Sequence, residues 1–113
     1  MLVVDDDPEV CTYLRMCLKP LALHILEAGD GQEALALMRR TSGLRLVITD
    51  IVMPRMDGIT LKAAMQADPG LHRIPVLLIT GDATHQRDGP VLRKPFNART
   101  LRAAVQTLLS GTP

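Results

Sequence analysis

Aromatic side chains are nearly missing from this 113-residue chain, which has one Tyr, one Phe and no Trp. Stacking platforms for single-stranded nucleic acid are therefore excluded, and the core must be aliphatic. An excess of charge of either sign is missing too: 13 Lys and Arg against 12 Asp and Glu leave a formal charge of +1. No global field recommends nucleic acid or an anionic membrane as a partner, so any function must sit in a local constellation. Long apolar runs are absent. Stretches such as Val76-Leu77-Leu78-Ile79 fall well short of the roughly 20 residues a membrane span requires. Met1 is followed almost at once by Asp5-Asp6-Asp7, so no secretory leader is expected and a cytoplasmic location is. The two cysteines, Cys11 and Cys17, stand in one helical stretch without metal-ligand spacing and read as reduced core residues.

What is present is an alternation of short apolar runs with segments of helical period, the signature of βαβ units and a parallel sheet. At 47% hydrophobic and 22% charged residues, the chain has the balance of one globular domain over residues 1–113. Leu2-Val3-Val4 reads as the first strand, and Asp7-Pro8 as an N-cap with proline at the first helical position. The first helix is expected to run to about Lys19 with Val10, Leu14, Cys17 and Leu18 on one face. Leu23 to Glu27 reads as the second strand. Asp30 with Glu33 resembles a capping box opening a helix that turns Leu35 and Met38 inward. Leu46-Val47-Ile48-Thr49 is the third strand, Ile59 to Ala67 the third helix and Ile74 to Thr80 the fourth strand. Val91-Leu92-Arg93 is a short fifth strand, and Asn97 caps a last helix. Residues 81–90 lack a clear period.

Polar residues collect where strands end. Asp5 and Asp6 close the first strand, Asp50 the third and Thr80 the fourth, and Lys94 follows the fifth. In an open parallel α/β sheet these carboxyl ends border the ligand crevice. Carboxylates gathered there repel by a few kcal/mol per pair, on the order expected at intermediate dielectric, so a cation must compensate them. All-oxygen donors suit Mg²⁺. Lys94 and Thr80 would face the acids and cradle a dianionic group on Asp50, whose carboxylate would form an acyl phosphate. Asp7 and Asp30 read as helix caps, Asp57 before Gly58 as turn chemistry, Met53 and Met56 as packing residues. His24, His72 and His85 stand at no metal or catalytic spacing.

The ordered motifs Leu2-Val3-Val4-Asp5-Asp6-Asp7, Ile48-Thr49-Asp50, Met53-Pro54-Arg55-Met56-Asp57-Gly58, Leu78-Ile79-Thr80 and Lys94-Pro95-Phe96 resemble the response-regulator receiver domain of two-component signalling. The resemblance implies a three-layer, flavodoxin-like, doubly wound sheet of five parallel strands in the order 2-1-3-4-5. It implies Asp50 as phosphoacceptor, and Asp5, Asp6, Asp50 and the main-chain carbonyl of Val52 as ligands of Mg²⁺. Thr80 would sense phosphorylation, Lys94 would pair with the phosphoryl group, and the bond before Pro95 would be cis. A histidine kinase or histidine phosphotransfer protein is the implied partner, with no turnover beyond self-phosphorylation and autodephosphorylation.

Three departures from the family pattern matter. Fourteen positions separate Thr80 from Lys94, so the fourth helix of the family is expected to be shortened or absent, and with it that style of dimer face. Val91 stands where the family usually has Tyr or Phe. The short stretch from Thr80-Gly81 to Pro90-Val91-Leu92-Arg93-Lys94-Pro95 resembles receivers at the C-terminus of hybrid sensor kinases or free-standing single-domain regulators, and the abrupt start at Met1 is expected of a piece cut from a longer protein. Val52 and Asp82 stand at family positions that tune dephosphorylation: Val52 offers no side-chain hydrogen bond to a hydrolytic water whereas an acid at Asp82 could, leaving phosphoryl lifetime open. Two further functions compete. One is a receiver-like module that binds without phosphorylation. The other is an aspartate-nucleophile phosphohydrolase, which needs an acid where Val52 stands.

Overall fold

The computed structural model describes residues 1–21, 23–51, 56–81 and 90–110. Among these residues the strands are β1 (Leu2–Val4), β2 (Leu26–Ala28), β3 (Val47–Asp50), β4 (Val76–Thr80) and β5 (Val91–Arg93). The helices are α1 (Pro8–Leu18), α2 (Gly31–Arg39), α3 (Gly58–Gln66) and α4 (Ala98–Ser110). All neighbouring strands pair in parallel in the order β2-β1-β3-β4-β5, the flavodoxin-like, doubly wound order expected.

Parallel strands covered on both faces need apolar side chains at every position, and successive residues serve opposite faces. Leu2, Val4, Val47, Val76 and Leu78 pack with Ala34, Leu35 and Met38 of α2 and Leu61 and Met65 of α3. Their neighbours Val3, Ile48, Leu77 and Ile79 pack with Cys11, Leu14, Cys17 and Leu18 of α1 and Leu101 and Val105 of α4. The sheet thus separates two aliphatic cores, and both cysteines are buried free thiols in the second.

Every described α-helix begins on an Asx cap. Side-chain oxygens of Asp7, Asp30, Asp57 and Asn97 accept from the amides of Glu9, Glu33, Thr60 and Thr100 at 2.9, 2.9, 2.7 and 2.8 Å. Each satisfies an amide that the first helical turn would leave unpaired. Asp57 is therefore a helix cap rather than a turn residue only. The Asp30 box is shifted by one residue, because Glu33 accepts from the Gly29 amide at 3.3 Å.

Element limits moved where pairing or proline dictated. β2 starts at Leu26, not Leu23, because the three-residue β1 offers partners only to Leu26, Glu27 and Ala28. β4 starts at Val76, since Pro75 has no amide to donate and instead accepts from Val47 through its carbonyl at 3.0 Å. α1 stops at Leu18, and Lys19–Leu21 form a 3₁₀ turn around Pro20. The expected loss of a helix between β4 and β5 concerns residues 82–89, outside the described residues.

Ile48, fully buried in the central strand, is the test of this layering. Truncation to Ala should cost about 2–5 kcal/mol in urea denaturation with an unchanged m-value; a loss below 1 kcal/mol contradicts the packing described.

Candidate functional site

Register places the site before any side chain is considered. Val4 pairs with Thr49, Asp50 with Ile79 and Thr80 with Arg93. Asp5, Asp50, Thr80 and Lys94 therefore occupy the carboxyl ends of four adjoining strands. The chain leaves β1 for β2 on one side and β3 lies on the other, so the order reverses at this edge, where doubly wound sheets bind ligands. α1 follows β1, α2 follows β2, α3 follows β3 and α4 follows β5. All four positive helix ends consequently face the same edge.

Side chains complete the site. One carboxylate oxygen each from Asp5, Asp6 and Asp50 lies within 4.8 Å of the other two. Lys94 Nζ donates to Asp50 Oδ2 at 3.5 Å. Neighbouring strands are about 4.8 Å apart, so β5 is two strand spacings from β3 and only a long side chain spans the gap. Lys94 has that length, with 37% of its side chain exposed against 14% for Asp50. A shared end for β4 and β5 is fixed by the Lys94 amide, which donates to the Thr80 carbonyl at 2.7 Å. The Lys94–Pro95 bond is cis, as expected, and Phe96 packs its ring 6.1 Å from that of Tyr13.

Asp5 is the strained member electrostatically. It is 5% exposed. Burial raises its carboxyl from 3.8 to about 6, the Asp7 amide bonded at 2.9 Å opposes the rise, and the charges of Asp50 and Asp6 add to it against Lys94. Three hard oxygen donors, one of them destabilised as an anion, fit a small divalent cation; the set lacks the nitrogen or sulfur ligands of a zinc site. A cleft of about 290 Å³ is lined by Asp5 and Asp6 together with Glu27 and Glu33. Glu27 is held by Arg15, whose Nη2 also donates to the Ile25 carbonyl at 2.9 Å. A larger cleft of about 410 Å³, near Arg39, Ser42 and Asp68, gathers no comparable set of acids.

A family model described as the response regulator receiver domain matches residues 1–106. The chain belongs to this receiver family. The transcriptional regulatory protein CpxR of Escherichia coli is 34% identical over 96% of this chain, which spans about half of that relative's length, 48%. The response regulator receiver protein CpdR of Brucella abortus is 32% identical over 96% of this receiver and 95% of its own length. Among solved structures, the receiver domain of a signal transduction histidine kinase from Syntrophus aciditrophicus superposes with a TM-score of 0.87 at 29% identity, covering 96% of this chain and 88% of that one. The chemotaxis response regulator CheY4 of Vibrio cholerae gives 0.84 at 28% identity, with 96% of each chain covered.

In this receiver Asp5, Asp6 and Asp50 converge and Lys94 pairs with Asp50. Thr80 is buried at the end of β4, one residue beyond the partner of Asp50. Val52 and Asp82 lie outside the described residues, as does His85. Sequence reasoning missed the glycines that let backbone close on the site. A Cβ on Gly58 would stand 2.3 Å from the Asp50 carbonyl oxygen, and the Gly58 amide donates to the Ile51 carbonyl at 2.8 Å. The Asp-Gly pair after the acceptor loop carried that signal, but composition alone attributed it to a turn.

The raised carboxyl of Asp5 sets a pH test in metal-free protein. Below about pH 4 Asp5 is protonated in folded and unfolded chains alike, so it contributes no penalty. As pH rises from about 4 to 6 the unfolded chain loses this proton first, and the folded state is destabilised. Asp5→Asn keeps an acceptor for the Asp7 amide and should be more stable than wild type by on the order of 2 kcal/mol at pH 7.5. That advantage should fade toward pH 4; equal advantages at pH 4.5 and 7.5 in urea denaturation with EDTA refute the assignment.

Proposed function

We propose that this chain, as one receiver domain over residues 1–113, accepts a phosphoryl group on Asp50 with Mg²⁺ and switches conformation in a histidine-aspartate phosphorelay. The observation that carries the reading is the convergence of three carboxylates on an edge where Lys94 reaches across to Asp50. A purely structural ion pair would require one acid, whereas here three share the edge and one is costly to ionise.

Asp5, Asp6, Asp50 and the main-chain carbonyl of Val52 are the proposed holders of the ion. When bound, Mg²⁺ neutralises the acids and the oxygens of the incoming phosphoryl group. Asp50 attacks the phosphorus of a phosphohistidine on a kinase or phosphotransfer partner; its oxygen forms the new P–O bond as the P–N bond breaks, and the imidazole leaves with the N–P electron pair. Lys94 transfers its charge contact from the free carboxylate to the phosphoryl oxygens. Thr80, at the next strand end, supplies a hydroxyl donor to the same group. Water later hydrolyses the acyl phosphate and restores Asp50. The two phosphorylation states bias a two-state equilibrium of the carboxyl-edge loops.

The near-balanced charge supports a protein partner over nucleic acid, and no helix among the described residues is long and apolar enough to cross a membrane. A place in a hybrid sensor kinase, or a single-domain regulator in the cytoplasm, is the context we propose, supported by the likeness to the receiver domain of a histidine kinase and to CpdR over 95% of its length.

Incubation with acetyl phosphate and Mg²⁺ should add the mass of one phosphoryl group to the intact chain. Asp50→Asn should abolish the gain, EDTA should prevent it, and Lys94→Ala should slow it at least tenfold, in keeping with loss of one charged transition-state contact. A wild-type mass that never changes identifies a binding module that works unphosphorylated.

A further inference from the structure

The chain carries one Tyr, one Phe and no Trp, and its two rings meet. Tyr13 stands on α1 and Phe96 beyond β5, with ring centroids 6.1 Å apart and planes tilted by 49°. Phe96 is two residues past Lys94, whose Nζ donates to Asp50 Oδ2 at 3.5 Å. That distance is near the outer limit of a hydrogen bond, so a small movement of the turn breaks the contact. Hydrogen bonds fix the turn at its ends. The Lys94 amide donates to the Thr80 carbonyl at 2.7 Å, and Asn97 Oδ1 accepts from the Thr100 amide at 2.8 Å and its hydroxyl at 3.0 Å. Between them Pro95 has no amide to donate, and among the described residues no hydrogen bond holds Phe96. Packing alone secures the middle, because the Phe96 side chain lies on the second core and against Tyr13. Tyr13 is 45% exposed, so its ring contributes through Phe96 rather than through burial in the core.

We propose that Tyr13 is a positioning residue for Lys94: its ring braces Phe96 and so holds the turn after β5 where the ammonium group reaches Asp50. The inference rests on the phosphoacceptor reading given above, in which that ammonium group meets the incoming phosphoryl oxygens. Displacements of about 1 Å at such a group are enough to slow a reaction severely, and the loss of one ring pair corresponds to about three- to tenfold.

Two measurements test it in wild type, Tyr13→Ala, Tyr13→Phe and Met16→Ala, the last a control on the same helix at a residue 69% exposed. In EDTA, an amine-acylating reagent labels Lys94 against Lys19 as internal reference, read by peptide mass spectrometry. Tyr13→Ala should raise relative Lys94 labelling about threefold or more, while Tyr13→Phe and Met16→Ala stay at the wild-type level. With acetyl phosphate and Mg²⁺, Tyr13→Ala should slow phosphorylation about three- to tenfold, and should slow it no further in a Lys94→Ala background. A merely structural loss slows both backgrounds alike. Should Tyr13→Ala fail to fold, Phe96→Leu removes the ring contact from the other side and carries the same expectations. Unchanged Lys94 labelling, equal slowing in both backgrounds, or a Tyr13→Phe variant that behaves like Tyr13→Ala overturns this inference alone. Wild type that takes up no phosphoryl group overturns the phosphoacceptor reading, and the labelling in EDTA still decides whether Tyr13 places Lys94.

Discussion

Like charges brought together at the carboxyl edge of the sheet are the constraint around which the molecule is organised. One carboxylate oxygen each of Asp5, Asp6 and Asp50 lies within 4.8 Å of the other two, a separation at which like charges repel. The surrounding architecture lowers that cost without removing it. Four helix N-termini point at the edge, the Asp7 amide bonds Asp5 and Lys94 pairs with Asp50. Burial first, and the charges of Asp50 and Asp6 after it, still push the Asp5 carboxyl up to about 6. The fold therefore stores unfavourable electrostatics at one edge and meets it with two aliphatic cores elsewhere. This is the usual relation between an active site and the stability of its scaffold.

The sheet makes the arrangement possible because parallel strands end together. Val3, Ile48 and Ile79 are buried on one face, Val4, Val47 and Leu78 on the other. The polar residue after each run has no core to enter and emerges at the edge. The chemistry is placed by where burial stops. The same reasoning explains the Asx caps: a chain that turns from a buried strand into a helix must satisfy the first helical amides within one or two residues. Asp7 and Asp57 accordingly sit one or two residues from functional acids or their loop while serving a different purpose. Their oxygens accept from the amides of Glu9 and Thr60.

Strand order, both cores and the acid-lysine constellation were legible in the primary structure because each follows from a periodicity or an ordered motif. Pro8, Asn97 and Asp30 announced their helices through local chemistry that tertiary packing did not override. The misplaced limits have equally definite causes. Leu23 and Ile25 are apolar and β-compatible, yet they pack on the second core without a ladder partner, since β1 is too short to reach them. Ile74 likewise precedes Pro75, which offers no amide. What could not be read was close approach between elements distant in the chain. Gly31 and Met56 are 25 positions apart, and nothing in either local context reveals that a Cβ at position 31 would stand 2.7 Å from Met56 Cγ.

Val91 sharpens how such a site can signal. Where the family generally carries an aromatic ring, this strand has an aliphatic, half-buried side chain with no hydrogen-bonding group. A switch built on a rotating ring hydroxyl or a large ring swing has no component here at that position. The backbone supplies a different connection: Lys94 donates its amide to the Thr80 carbonyl at 2.7 Å, joining the residue that pairs with Asp50 to the end of β4. Lys94 and Thr80 are thus one hydrogen-bonded unit, and α4 begins four residues beyond Lys94. On the proposed phosphoacceptor reading, this main-chain bond would be the route by which a change at the acid cluster reaches the last helix, and an aliphatic residue at 91 would leave it intact.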